Sequence, residues 1–100
     1  MPRKGGDTFE WDENKRALNA QKHGIDFVDV VKIFSVPGLT ARTDRDGESR
    51  LIRVGQLHQK FIAVIHTIRG DAYRIISARR ARDGEIRAYH ESYPGGGPGA

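Results

Sequence analysis

One hundred residues with 37% hydrophobic content suffice for one modest core and leave no room for a second. Seventeen Lys and Arg against thirteen Asp and Glu give a net charge of +4 and a pI near 9.8, a balance that points to an anionic partner, nucleic acid first. The absence of cysteine excludes disulfides, thiolate catalysis and Cys-based zinc sites, and no run approaches the roughly 18–20 apolar residues of a membrane span.

Residues 1–8 are polar, contain glycine and lack the apolar segment of a secretory signal; they read as a disordered lead-in to a soluble cytoplasmic protein. Phe9-Glu10-Trp11 alternates and is aromatic, which suits a brief strand or an anchored lead segment. Asp12 then N-caps a helix through about Lys22, and Gly24 stands where a left-handed residue ends it. Asp26 is a second N-cap, with Ile25 and Val30 in the positions of a hydrophobic staple. Phe27, Val30, Val31 and Phe34 follow at i, i+3, i+4 and i+7, one buried helical face, until Pro37 and Gly38 stop it.

Strands are expected over 39–45, 48–57, 60–69 and 72–79. Asp46-Gly47 is a strong two-residue hairpin signal, Gly70-Asp71 a second, and Leu57-His58-Gln59-Lys60 a weaker third. The run Phe61 to Ile65 is apolar on both faces, as an inner strand requires. A last helix over about 83–93 is interrupted by Gly84, carries Ile86 and Tyr89 on one face, and ends at Pro94. The stretch 94–100 is a Gly/Pro tail expected to be flexible. Residues 9–93 thus form a single α+β domain: a four-stranded antiparallel meander packed with two N-terminal helices and one C-terminal helix.

With two-residue loops at all three turns, Arg50 faces Thr67, which faces Arg74, and opposed residues share a sheet face. Arg45, Glu48 and Arg69 fall on that face at the same end, and Ile52, Val54, Ala63, Ile65, Ile76 and Ala78 continue it as core. The opposite face receives Arg53, His66, Tyr73, Ser77 and Arg79. Cations stacked across strands repel, so this positive edge, with only Glu48 to offset it, suits an anionic ligand; a solvated rim is the alternative. Lys22-His23-Gly24 admits two readings as well. Lys22 can contact phosphate while His23 moves a proton, or both can simply favour the negative end of the helix dipole.

His23, His58, His66 and His90 form no i, i+4 pair and no metal-binding helix motif, so neither a catalytic metal nor a cofactor is expected. His66, in its apolar strand, reads as a core histidine. No serine-nucleophile elbow or glycine-rich phosphate loop is present. A cation-rich site without metal fits RNA cleavage. RNA carries its own nucleophile, the 2′-hydroxyl, and cleavage needs a base, an acid and cations over the developing phosphorane charge. Arginine suits the last task because its planar fork matches phosphate oxygens.

Phe9-Glu10-Trp11-Asp12, Lys15, Asn19 and Lys22-His23-Gly24 with Phe27 resemble the opening of BrnT-type toxins. Glu48 and Arg50 before Ile52-Arg53-Val54-Gly55 are similar to the middle of that family. The segment Arg74-Ile75-Ile76-Ser77-Ala78-Arg79-Arg80-Ala81, followed by Glu85 and Tyr89, is similar to its end. The resemblance spans about residues 9–91 and implies a RelE-like fold and a ribonuclease toxin that arrests translation. It also implies a cognate, DNA-binding BrnA-like antitoxin in a hetero-oligomer, with operator DNA contacted only through the antitoxin and no membrane involved. By the same token His23, Glu48, Arg50, Arg79 and Tyr89 are the expected catalytic residues, and Lys22, Arg69 and Arg74 the expected RNA contacts. Two positions depart from the family pattern: Ile68 precedes Arg69 where an acidic residue is usual, and Glu85 is followed by Ile86 rather than directly by arginine. A non-catalytic nucleic-acid-binding or protein-interaction module on the same scaffold is the competing class.

Overall fold

The computed structural model describes residues 8–94; most of the expected lead-in and tail, residues 1–7 and 95–100, lies outside them. In chain order come β1 (Thr8–Glu10), α1 (Glu13–His23), α2 (Phe27–Val30) continued by a 3-10 turn (Val31–Phe34), β2 (Gly38–Arg42), β3 (Leu51–Leu57), β4 (Lys60–Arg69), β5 (Ala72–Arg80) and α3 (Asp83–Ser92).

The caps read from sequence are in place. The Asp12 carboxylate accepts from the amides of Asn14 at 2.8 Å and Lys15 at 3.3 Å, satisfying two donors that α1 leaves open. Gly24 takes φ 70° and donates its amide to Ala20 O at 2.8 Å, closing the helix just past His23. Asp26 accepts from Val28 N at 3.0 Å and from Arg16 Nε at 2.8 Å, so one carboxylate starts α2 and ties it to α1. The Arg16 hydrogen bonds hold that carboxyl below the usual range. The second helix tightens after one turn, and Ile33, which the i, i+3, i+4 pattern skips, is fully buried as a result.

The sheet corrects the expected fold. The antiparallel meander is there, but the sheet is mixed and five-stranded, in the order β1-β5-β4-β3-β2. Thr8, expected in the lead-in, begins β1, which runs parallel to β5 with Phe9 opposite Tyr73 and Glu10 opposite Arg74. The pairing is fixed by rings: Phe9 stacks on Tyr73 with centroids 5.6 Å apart and packs on Phe34 at 5.4 Å. The Asp46-Gly47 turn has positive φ at both positions, 51° and 75°, the type I′ geometry. His58 and Gln59 adopt the same geometry without glycine, at 50° and 70°.

A second correction lies inside β5. Register shifts between Ile65↔Ser77 and His66↔Ile75, leaving Ile76 as the extra residue of a β-bulge. Thr67 still faces Arg74, and Leu51 opposite His66 keeps Arg50 in phase with Thr67. Beyond the bulge, however, the alternation inverts. Ser77 and Arg79 pair with Ile65 and Ala63, on the face of Arg50 and Arg74. Ala78, expected among them, goes to the other face and is fully buried there.

That other face is the main core, where Ile62, Val64, Ile75 and Ala78 meet Phe27, Val30 and Ile33 under the N-terminal helices. Fully burying Phe27 alone is worth roughly 1.5–3 kcal/mol. Gly55 lets the 3-10 turn settle on β3, since a Cβ there would meet Ile33 Cδ1 at 3.0 Å. Arg53 locks the same turn, donating to Ile33 O at 2.8 Å, Val36 O at 2.7 Å and Thr40 Oγ1 at 2.9 Å. His66 is a core histidine as expected, 2% exposed, with Nδ1 3.2 Å from Val64 O and its ring edge-on to Phe34. On the opposite face α3 brings Tyr89 onto Val54 and Ala63, with Ile52, Phe61, Ala81 and Tyr93 around them. Because α3 covers only one end of that face, the other end stays open.

Candidate anion-binding cleft

The open end carries two neighbouring chambers. The first, about 330 Å³, has Ile52, Ile65 and Ser77 among its lining residues and is ringed by Lys22, His23, Arg45, Arg50, Arg79 and Arg82. The second, about 460 Å³, is lined by Lys15, Glu48, Arg50, Thr67, Arg69, Arg74 and Ile76. Arg50 belongs to both. Ser77 and Arg79 reach the first chamber because the bulge turns them to this face, while Ile76 lines the second.

Asn19 places α1 beside the cleft. β1 covers the outer edge of β5 only at residues 72–74, so further along that edge the backbone of Ala78 needs another partner. Asn19, buried at 6% exposure, supplies it: Nδ2 donates to Ala78 O at 2.9 Å and Oδ1 accepts from Ala78 N at 3.0 Å. The same Nδ2 donates to Ile25 O at 2.9 Å, fixing the chain just after Gly24. One amide thereby stands in for a strand and docks the end of α1, with Lys22 and His23, next to Arg79. Lys15, Asn19 and Lys22 lie at i, i+4 and i+7, a single helix face. That spacing was legible in the sequence, and it is the signal that would have found Asn19 and Lys15.

Each arginine at the centre of the cleft has a carboxylate. Arg79 makes a bidentate pair with Glu85, Nη1 to Oε1 at 2.9 Å and Nη2 to Oε2 at 2.8 Å. Glu85 Oε1 also accepts from Arg82 N at 2.8 Å, so the group that aims Arg79 also caps α3. These bonds hold the Glu85 carboxyl low and push the Arg79 guanidinium pKa up. Arg50 donates to Glu48 Oε1 from Nε at 2.8 Å and from Nη2 at 2.6 Å. Arg74 meets Glu10 Oε2 at 3.0 Å, and Arg69 the same oxygen at 3.5 Å. The edge expected to rely on Glu48 alone is therefore partly neutralised by Glu10 and Glu85 as well. Glu10 supplies Arg69 with the carboxylate that Ile68 cannot. Among the described residues Lys15, Lys22, Arg45 and Arg82 have no carboxylate in ion-pair range, so the cleft keeps a positive surplus.

Of the expected residues, Lys22, His23, Arg50 and Arg79 line the first chamber, and Glu48, Arg50, Arg69 and Arg74 the second. Tyr89 is not with them. Its ring is fully buried, 5.3 Å from Phe61 and 4.9 Å from Tyr93, and its hydroxyl is buried without a hydrogen-bond partner. Burial pushes that hydroxyl's pKa up. Tyr89 borders a separate cavity with Val36, Pro37, Gln56 and His58, at the far end of β3 from Arg50. Helix α3 turns it into core by laying its ring on Val54 and Ala63 beside Phe61.

Among the described residues no three of His, Cys, Asp and Glu gather to hold a metal ion, and no helix is long and apolar enough to cross a membrane. The family model for the ribonuclease toxin BrnT of type II toxin–antitoxin systems matches residues 11–85. The chain is similar to the Brucella abortus ribonuclease toxin BrnT, known from a 1.1 Å crystal structure, at 34% identity and a TM-score of 0.63; the match covers 76% of this chain and 99% of that one. No curated protein matches.

Proposed function

The chain belongs to the BrnT family, ribonuclease toxins of type II toxin–antitoxin systems, and from that premise we propose that it is a metal-independent endoribonuclease that arrests translation in the cytoplasm. The observation that carries the reading is the first chamber, where Lys22, Arg50 and Arg79 surround one space with His23 at its rim. We read the scaffold as RelE-like, on the strength of a meander preceded by two helices and followed by one.

In this reading the scissile phosphate sits in the first chamber on Lys22, Arg50 and Arg79. Arg79 is pre-aimed by Glu85, so its guanidinium loses little freedom when a phosphate arrives. Glu48, held on the far side of Arg50, accepts the proton of the 2′-hydroxyl as that oxygen bonds to phosphorus. The bond to the 5′-oxygen breaks on the opposite side, where His23 supplies the leaving oxygen with its proton. The products are a 2′,3′-cyclic phosphate and a free 5′-hydroxyl, with no proton or charge left unassigned. A BrnA-like antitoxin inhibits by laying an acidic or apolar segment over the arginines, and operator DNA is contacted through it.

The engagement of Arg50, Arg74 and Arg79 by carboxylates also suits a module that binds without cutting, and one experiment separates the two. Full-length protein is incubated with RNA in excess chelator and the products are read for cyclic phosphate ends. Cleavage with those ends is expected. Cleavage that requires added Mg²⁺ or Mn²⁺, or tight binding with intact RNA, would overturn the proposal.

A further inference from the structure

The two chambers are built from the same parts. α1 gives one lysine to each, Lys15 to the second and Lys22 to the first, seven residues and roughly 10 Å of helix rise apart. β5 gives one arginine to each, Arg74 and Arg79, and Arg50 on the far side of β4 serves both. The first chamber takes the reacting phosphate in the function proposed above. A repeat of its donor set one helical span away calls for a second anion on the same strand of substrate.

From this duplication we infer that the second chamber is a subsite for the neighbouring phosphate of one RNA strand, the linkage 5′ of the one cleaved, held by Lys15, Arg69 and Arg74. The inference rests on the ribonuclease reading, which sets the direction. Glu48 lines the second chamber and accepts from Arg50, the residue the two chambers share. The ribose whose 2′-hydroxyl meets Glu48 is the one 5′ of the scissile phosphate, so the next phosphate beyond that ribose is its own 5′-phosphate. Four cations of the second chamber stand against two carboxylates, Glu10 and Glu48, which leaves charge for a ligand. Arg69, 60% exposed and 3.5 Å from Glu10, is the most loosely paired of the three arginines, and Lys15 has no carboxylate partner among the described residues.

The test uses full-length protein and three 2′-O-methyl dinucleotides that cannot be cut: one with only the bridging phosphate, one with an added 5′-phosphate, and one with an added 3′-phosphate. Binding is followed by NMR titration. The 5′-phosphate should tighten binding by on the order of tenfold, the scale of one charge-assisted contact. Arg69→Ala and Lys15→Ala should each shrink that gain, and the double variant abolish it. Lys60→Ala, at the far turn, should leave the gain unchanged. An equal gain from the 3′-phosphate, or a 5′ gain that survives in the double variant, would overturn the subsite. RNA cleaved without any 5′ gain would sink the subsite and spare the ribonuclease reading. A 5′ gain in a protein that cuts no RNA would do the reverse.

Discussion

Replacing Asn19 is the sharpest probe of how the cleft is assembled. Asn19→Ala removes three hydrogen bonds of 2.9–3.0 Å and leaves the N–H and C=O of Ala78 and the C=O of Ile25 without that partner. A net value near 1 kcal/mol per bond, plus the cost of stranding groups at a buried strand edge, predicts a loss of about 2–4 kcal/mol. For a domain of this size that lowers the melting temperature by roughly 10–25 °C. Asn19→Asp is the informative companion. One carboxylate oxygen still accepts from Ala78 N, but the other is forced against two carbonyl oxygens, so the near-isosteric change should cost at least as much as truncation. Thermal and urea unfolding by circular dichroism give the stabilities, and anisotropy with a labelled RNA at 15 °C reports the cleft. RNA affinity should fall in both variants even where the fold is intact, because Lys22 and His23 are no longer docked beside Arg79. A loss below 1 kcal/mol in Asn19→Ala, or an Asn19→Asp protein as stable as the parent, would refute the reasoning.

Tyr89→Phe removes a buried hydroxyl that has no partner; it should raise stability by about 1 kcal/mol in urea unfolding and leave RNA cleavage unchanged, and a large loss of cleavage would return Tyr89 to the site. Arg53→Ala strands the carbonyls of Ile33 and Val36 and should cost about 1.5–3 kcal/mol in the same assay while kcat of the folded fraction is retained. His66 is held below its ordinary value of 6.5, chiefly by burial and further by the nearby Arg53 charge. Because the unfolded chain takes up a proton the folded state refuses, stability should be flat above pH 6.5 and fall as pH drops below it, by no more than about 1.4 kcal/mol per unit. His66→Phe should remove that part of the slope between pH 7 and 5; an unchanged slope would mean another group is responsible.

The local chemistry of this chain is written locally. Asp12, Gly24 and Asp26 act through bonds to residues two to four positions away, so the helix boundaries could be read to within a residue. Asp46-Gly47 set its own turn, and from it and the two other short turns the alignment of Arg50, Thr67 and Arg74 followed. What escaped is written between distant segments. The parallel pairing of β1 depends on Phe9 finding Tyr73 and Phe34, and nothing in three residues announces a partner more than sixty positions on. The bulge falls between Ile75 and Ser77, where two isoleucines suit either face, so the alternation gave no warning of the slip that moves Arg79. Tyr89 carried a resemblance-based role, but only the packing of α3 over Phe61 reveals that its ring is committed to core.

Arg74 and Arg79 are five positions apart, an odd number, and a regular pleated strand sends odd neighbours to opposite sides. Their meeting on one surface depends on Ile76 being one residue too many. Deleting that isoleucine would leave the two arginines four positions apart, an even spacing that keeps them on one face of a regular strand without the bulge. Were Ile76 instead drawn into regular pairing, everything downstream in β5 would be read in the other phase: Ala78 would swing into the cleft and Arg79 would be driven under the N-terminal helices, into space now closed around Phe27 and Ile33. The parity of the count between the two arginines, and the bulge that offsets it, are therefore as much a part of the site as the arginines themselves.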